Sequence, residues 1–396
     1  ASLPKWSSLP ARSPAQGHLP KEQRRVAFSV FVTYTAFCED NKYWDDADRI
    51  LELVSRLRNQ GTAETAEGQA GEDGVNHEEE NAVGSRVVGE ARKVGDSYSK
   101  IYVDEVQDLT QAEIALLFML SDSRSLFLAG DTAQSVVEGV AFRFSEVRSV
   151  AFQLGVSVPE KPMVLHLNFR SHTGILNLAS AVLGRLFLLF PGAASKLPPD
   201  EGLYKGPRPG LMLLESEDRL LSVLTQNDGL MLLTHEHARE RLQGLCGSQR
   251  MVLSIAEAKG LEFPDVAVVD FFSSLDRCDQ LRWKEMLGID EAAHESGTDV
   301  SLRYQYPELE TQLKLLYTAI TRAERSLYVI ETKRSVAGSA FFALAEARGL
   351  AQAQEVLSSS ECLLTHDEWV SRGLDFASSA KESGEVEEEV TWLRRA

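Results

Sequence analysis

From residue 99 onward, short apolar runs alternate with longer amphipathic stretches. The runs are KIYV (100–103), SLFLAG (125–130), MVLHL (163–167), LMLLE (211–215), LMLLT (230–234), MVLSI (251–255), VAVVDFF (266–272) and SLYVIE (326–331). Continuous apolar runs of this length suit strands buried on both faces, the reading of a parallel sheet covered by helices. Eight such strands are many for one sheet, so the pattern predicts an α/β protein with two parallel-sheet lobes. The change of sheet is expected between Ser135 and Arg170, where loop signals interrupt the alternation.

Ahead of these runs the periodicity is helical. Val26, Val30, Phe31, Tyr34 and Phe37 share one face, and a second helical run passes from Asp45 through Ile50, Leu53, Val54 and Leu57. Residues 1–21, rich in Pro and Ser, read as a linker. Residues 61–97 turn to Gly, Ala and Glu, with the run HEEEN, and are expected to form a disordered acidic insertion because they offer too little apolar surface to offset their ordering entropy. The predicted organisation is a first lobe over 22–162, a second over 163–333, and a helical tail over 334–396 that ends in the acidic ESGEVEEEV.

Composition narrows the function. The 396 residues are 43% hydrophobic, enough for a sizeable core, but the formal net charge is −18. Bulk positive charge therefore cannot be what holds a nucleic acid, and any such site must be a local groove. Cys38, Cys246, Cys278 and Cys362 are scattered, with neither CxxC nor paired His spacing, which fits a reducing cytoplasmic or nuclear setting. The N-terminal segment has no apolar signal-like region, and Arg185, Pro191 and Gly192 break the greasiest stretches short of spanning length, so no membrane association is expected. The first residue is Ala rather than Met, which reads as a piece of a longer chain.

The candidate chemistry sits where the first two strands end. KIYV runs into DEVQD, so Asp104 and Glu105 lie at the carboxyl end of a strand, where open α/β sheets place ligands. A carboxylate there can hold Mg2+ through water, and its neighbour can accept a proton from a water that attacks a phosphate. Alone, an acidic pair after a strand is as well explained by an ordinary turn. The next strand, SLFLAG, delivers Gly130, Asp131 and Gln134 in GDTAQS to the same sheet edge.

In this order and spacing the two segments resemble motifs II and III of the UvrD/Rep-type superfamily 1 helicases. Three further blocks follow in that family's order: LNFRS with Arg170, EAKGLEF with Gly260 and Glu262, and LYTAITRA with Arg322. The resemblance implies two RecA-like (P-loop NTPase) lobes, the first incomplete at its N-terminal side, and the use of ATP and Mg2+. It also implies roles: Asp104 as the Mg2+ ligand through water, Glu105 as the catalytic carboxylate, Gln134 as the γ-phosphate sensor, and Arg170 and Arg322 as the arginines that stabilise transferring charge. Asp131, Gly260 and Glu262 would complete the nucleotide site, with Glu262 at the ribose. Gln107 and Asp108 complete a DExQD form, which points to the UvrD group rather than to the RNA-surveillance helicases. The stretches GDTAQSVVEGVAFRFSEVRS, LHLNFRSHTGILNLASAVL, LPPDEGLYKGPRPG and VLSIAEAKGLEFPDVAVVDFF look most similar to the helicase-like region of TPR and ankyrin repeat-containing proteins, whose helical repeats would begin in the tail.

The chain departs from a working motor in several places. No GxxxxGK[ST] occurs in it, so the loop whose amides and lysine cradle phosphates is missing, and truncation is favoured over degeneration. Where the family stacks a base on Trp, this chain continues VVEGVAFRF; Phe142 and Phe144 read as core residues before they read as stacking platforms. Ser254 and Ala256 stand where Thr and His touch DNA in the family, and roughly eighty residues between Arg170 and Ser254 leave no room for the large bacterial accessory subdomain. His235 and His237 read as loop residues rather than metal ligands, and Trp44 as a helix anchor. Two functions stand ahead of a third, an RNA-processing helicase, which the DExQD form disfavours. One is a nucleic-acid-dependent ATPase region, inactive by itself, whose partners are single-stranded nucleic acid, DNA before RNA, and proteins bound through flanking repeats. The other is a helicase-fold pseudoenzyme that serves as a scaffold for protein partners.

Overall fold

The computed structural model describes residues 21–43, 49–50, 52–53, 56, 98–120, 123–135, 144–159, 161–165, 167–190, 193–194, 198–248, 250–289 and 307–357. The expected linker up to residue 20, the insertion at 61–97, Trp44, Phe142 and the tail beyond 357 lie outside them. The chain divides into two compact units. The first comprises Ala1–Val164, Leu189–Lys196 and Asp299–Tyr304, and the second Leu165–Leu188, Leu197–Thr298 and Gln305–Ala396.

In the first unit, helix α1 (Lys21–Asn41) forms where the periodicity places it. Its apolar stripe is not a core face: Val26, Val30, Phe31, Tyr34 and Phe37 are exposed, and Cys38 is buried. Strands β1 (Ile101–Val103) and β2 (Leu126–Leu128) pair in parallel, Ile101 opposite Leu126 and Val103 opposite Leu128. Both are shorter than the apolar runs predict and are covered on one side. Val103, Leu126 and Leu128 pack on a cluster of Val106, Ile114, Phe118, Val147, Val150, Ala151 and Leu154. The alternate positions, Tyr102 and Phe127, are exposed, with ring centroids 6.0 Å apart. Helices α2 (Gln111–Leu120) and α3 (Phe144–Gln153) supply Ile114, Phe118, Val147, Val150 and Ala151 to that cluster, and Phe144 is packed against it, in keeping with a core role. Thr110 and Glu113 start α2 with a capping box: the Thr110 N–H donates to Glu113 Oε2 at 2.7 Å and the Glu113 N–H to Thr110 Oγ1 at 3.3 Å.

The second unit opens with β3 (Leu167–Asn168), which among the described residues takes in only the last residue of the expected MVLHL strand, paired in parallel with a two-residue strand β4 (Glu201–Gly202) that no apolar run announces. Between them lies α4 (Thr173–Leu189). Its first amides are satisfied by the loop after β4: the Thr173 N–H donates to Tyr204 O at 2.8 Å and the Gly174 N–H to Lys205 O at 2.7 Å. The remaining strands are β5 (Gly210–Leu213), β6 (Met231–Thr234), β7 (Val252–Ser254), β8 (Phe263–Val269), β9 (Ala323–Glu331) and β10 (Gln352–Ala353). They form one sheet of order β10-β5-β9-β8-β6-β7, parallel at every pairing.

Helices α5 (Glu217–Leu224) and α6 (Glu236–Cys246) give Leu220, Val223, Leu224 and Leu242 to a core shared with Met212, Leu232, Ala267, Val269 and Ile330 of the sheet. The alternate strand positions Leu211, Leu233, Val266, Val268 and Val329 are equally buried, so both faces of the sheet are covered. Helices α7 (Arg277–Leu287), α8 (Pro307–Ile320) and α9 (Val336–Ala347) complete the unit. Trp283 of α7 and Phe341 of α9 meet on Phe272, with centroids 5.1 and 4.9 Å from its ring. No helix among the described residues is long and apolar enough to cross a membrane.

Candidate functional site

In the first unit the two predicted segments are held together at the ends of β1 and β2. The Val106 N–H donates to Ala129 O at 2.9 Å, so the backbone pairing continues past both strands. Asp104 is exposed, and its Oδ1 accepts the Glu105 N–H at 2.9 Å. Glu105 has φ 53° and ψ 38°, left-handed geometry that a residue with a side chain keeps only where its surroundings impose it. Its carboxylate accepts from the amide of Gln107, which is fully buried. Gln107 Oε1 in turn accepts the Asp131 N–H at 3.0 Å. Asp131 caps the short 3-10 turn Thr132–Gln134: its Oδ1 accepts the Ala133 N–H at 2.9 Å and its Oδ2 accepts from Gln134 Nε2 at 3.0 Å. Glu105, Asp131 and Gln134 are thus joined through Gln107. The close approach depends on Gly130, where a Cβ would lie 2.4 Å from Gln107 Oε1.

In the second unit three distant segments converge at the N-terminal ends of β8 and β9. Asn168 Oδ1 accepts the N–H groups of Arg170 and Ser171, each at 2.9 Å, and so shapes the NFRS turn. Ser171 Oγ donates to Ala323 O at 2.6 Å, while Arg170 forms an ion pair with Glu262, 92 residues further on. Both charged side chains are partly exposed, so the pair contributes no more than about 1 kcal/mol and can be exchanged for other partners. Arg322 is buried. Its Nε donates to Thr318 O at 3.0 Å, its Nη1 to Leu261 O at 3.0 Å and its Nη2 to Thr321 Oγ1 at 3.2 Å, while the Phe263 N–H donates back to Arg322 O at 2.9 Å. Gly260 is exposed with φ 76°, the left-handed turn that lets KGLEF enter β8.

Residues without a role in the sequence pattern matter here as much as those with one. Asn168 and Ser171 orient the segment that carries Arg170. Ser254 and Glu257 form another capping box: the Ser254 N–H donates to Glu257 Oε2 at 2.8 Å and the Glu257 N–H to Ser254 Oγ at 3.2 Å. That backbone bond holds the Glu257 carboxyl below its usual range. Ser254 is buried, so its hydroxyl serves this turn. An S-x-x-E reading of SIAE would have found it.

At the opposite, C-terminal edge of the sheet, His235 is buried against Phe271, with its Nε2 3.1 Å from Phe271 O, and stacks on His237 at 5.4 Å. Burial first, and then the neighbouring His237, lowers its pKa to about 4. Nearby, burial pushes Glu331 up to about 8, although its oxygens accept the Phe272 and Ser273 N–H groups at 2.9 and 2.8 Å. Among the described residues no group of three or more His, Cys, Asp or Glu could hold a metal ion. The exposed carboxylate of Asp104 offers hard oxygen donors of the kind Mg2+ takes when water and substrate phosphates fill its other positions.

Sequence comparison places these segments among known proteins. Residues 7–149 match the UvrD/REP helicase N-terminal domain. Over 360 residues, 81% of this chain, the sequence is 32% identical to human TPR and ankyrin repeat-containing protein 1, of which it spans 11%. It is 32% identical over 144 residues, 31% of the chain, to an ATP-dependent helicase/nuclease from Heliobacterium modesticaldum, spanning 10% of that protein. Among solved structures, the C-terminal domain of a possible DNA helicase from Lactobacillus plantarum superposes over 47% of this chain and 98% of its own, at 15% identity and a TM-score of 0.29, too low to support an argument about fold. The chain is therefore similar to the N-terminal domain of the UvrD/REP helicases over residues 7–149 and, across most of its length, to TPR and ankyrin repeat-containing protein 1.

Proposed function

We propose that this chain is the motor region of a UvrD-like, nucleic-acid-dependent ATPase, built on two RecA-like lobes over 22–162 and 163–333. The observation that carries the reading is the convergence of Arg170, Glu262 and Arg322 at one end of β8 and β9, although 92 and 61 residues of chain separate the contacts Arg170–Glu262 and Leu261–Arg322. Phosphoryl transfer is catalysed by positioning and by charge stabilisation, so clustered arginines and a separately held carboxylate are the parts it needs. ATP-Mg2+, when bound, supplies the scissile phosphate bond and its metal.

Asp104 would orient the metal's water, Glu105 would accept the proton of the attacking water, and Gln134 would read the terminal phosphate. Asp131 holds Gln134 in place for that task. Glu262 and Arg170, now paired with each other, would exchange that partner for the ribose and a phosphate, and Gly260 lets the segment turn toward them. The polynucleotide partner is single-stranded, DNA before RNA, and flanking helical repeats would bring protein partners in the cytoplasm or nucleus. The sequence contains no GxxxxGK[ST], so this chain by itself should turn over ATP poorly.

The test is Mg2+-ATP hydrolysis with and without single-stranded DNA or RNA, by this chain and by any longer polypeptide that contains it. Turnover that is stimulated by polynucleotide and lowered about a hundredfold or more by Glu105→Gln supports the reading. Turnover indifferent to both sinks it.

A second reading, a helicase-fold scaffold for protein partners, is favoured by the guanidinium of Arg322, which is committed to backbone carbonyls, and by the inward Ser254 hydroxyl. Tight ATP-Mg2+ binding measured by calorimetry would count against it.

A further inference from the structure

Gln107 is 0% exposed, and both ends of its carboxamide are used: Nε2 donates to the Glu105 carboxylate and Oε1 accepts the Asp131 N–H at 3.0 Å. A side chain that must donate at one end and accept at the other cannot be replaced by Glu, Met or Leu without loss of at least one bond. Its surroundings are built around it. Glu105, two residues earlier, stands in left-handed geometry at the start of the 3-10 turn Val106–Asp108, a conformation that persists only when neighbouring contacts impose it. Across from it, residue 130 can carry no side chain, because a Cβ would lie 2.4 Å from Gln107 Oε1 and 2.8 Å from Val106 Cγ1. Beyond Asp131 the chain of bonds reaches Gln134, whose Nε2 donates to Asp131 Oδ2 at 3.0 Å.

We propose that Gln107 is a positioning residue that fixes the spacing between the Glu105 carboxylate and the Asp131–Gln134 turn, so that a shift of Gln134 is carried to Glu105. The proposal rests on the ATPase reading for its catalytic consequence, but the tie itself is a property of this chain. Rigid coupling follows from the geometry: the link runs through a buried amide rather than through water, and each of its bonds ends on a group already held by a turn or cap.

The experiment uses the full chain and two substitutions. Gln107→Glu keeps the oxygen that accepts from Asp131 but replaces the donor to Glu105 with a second carboxylate oxygen, which repels it. Gln107→Met removes both ends at similar length. Amide hydrogen exchange reads the Asp131 end without any turnover: we expect about tenfold or more faster exchange at Asp131 in Gln107→Met, and a rate within about threefold of the parent in Gln107→Glu. Mg2+-ATP hydrolysis by a longer polypeptide that contains this chain reads the Glu105 end: both variants should lose about tenfold or more in kcat with KM within about twofold, and Gln107→Glu added to Glu105→Gln should lower kcat no further than Glu105→Gln alone.

Unchanged Asp131 exchange in a folded Gln107→Met overturns the tie whether or not ATP is hydrolysed; if that variant does not fold, fast Asp131 exchange in Gln107→Glu does the same. Additive losses in the double variant, or a change confined to KM, overturn the positioning of Glu105. Absence of turnover in a longer polypeptide that contains this chain overturns the ATPase reading and with it the catalytic consequence, while the exchange result still decides the tie.

Discussion

The hydroxyl of Ser171 donates to the carbonyl of Ala323 at 2.6 Å across 152 residues of chain, in a buried setting. It ties the segment that carries Arg170 to the first residue of β9, one residue past Arg322. Ser171→Ala leaves that carbonyl without this donor and should cost about 1–2 kcal/mol in urea unfolding of the second unit. A loss below a few tenths would show that the tie does not hold the two segments.

The two arginines should separate by stability. Arg322 is buried, with three guanidinium donors engaged by Thr318, Leu261 and Thr321, so Arg322→Ala should destabilise the second unit by about 3 kcal/mol or more. Arg170 pairs with Glu262 at a partly exposed position, and Arg170→Ala should cost less than about 1 kcal/mol. Equal losses in chemical denaturation would contradict the difference in burial.

Gly130 should tolerate no side chain. Gly130→Ala pushes a methyl group to 2.4 Å from Gln107 Oε1, and overpacking of this kind costs about 1–3 kcal/mol. Gln107→Ala in the same background should recover part of that loss, since the nearest obstacle is then gone, although Val106 remains 2.8 Å away. Melting temperatures of the two single variants and the double test it. Strictly additive losses would mean that Gln107 is not the obstacle.

His235 should make stability depend on pH. Its folded pKa is about 4 against 6.5 for the ordinary side chain, lowered mainly by burial. The depressed value means that the unfolded chain binds the proton more readily. The associated stability is present in full above pH 6.5 and is lost as pH falls from there through 4, by about 3 kcal/mol at most. His235→Gln should reduce the proton uptake on unfolding in that window by about one. An identical pH slope in parent and variant would refute the assignment.

Much of the architecture is written locally. Seven of the eight apolar runs contain strands of three residues or more, and DEVQD and GDTAQS leave β1 and β2 as their positions imply. Of the described residues of MVLHL only Leu167 is in a strand, because an apolar run signals burial without saying which partner backbone will meet it. The stripe on α1 shows the same limit from the other side: its period made a helix, yet Val30 and Phe31 are exposed.

The sequence by itself determined the α/β alternation, the carboxylates at the strand ends and the order of the motif-like blocks. Each of these rests on residues close together in the chain, whose burial period or turn chemistry needs no distant partner. Tertiary structure alone decided the order β10-β5-β9-β8-β6-β7, the pairing of Arg170 with Glu262, the burial of Arg322 and the place of Gln107 between Glu105 and Asp131. An arginine or a glutamine carries the same donors wherever it stands. Which carbonyl or carboxylate receives them depends on long-range packing that sets segments tens of residues apart within hydrogen-bond reach.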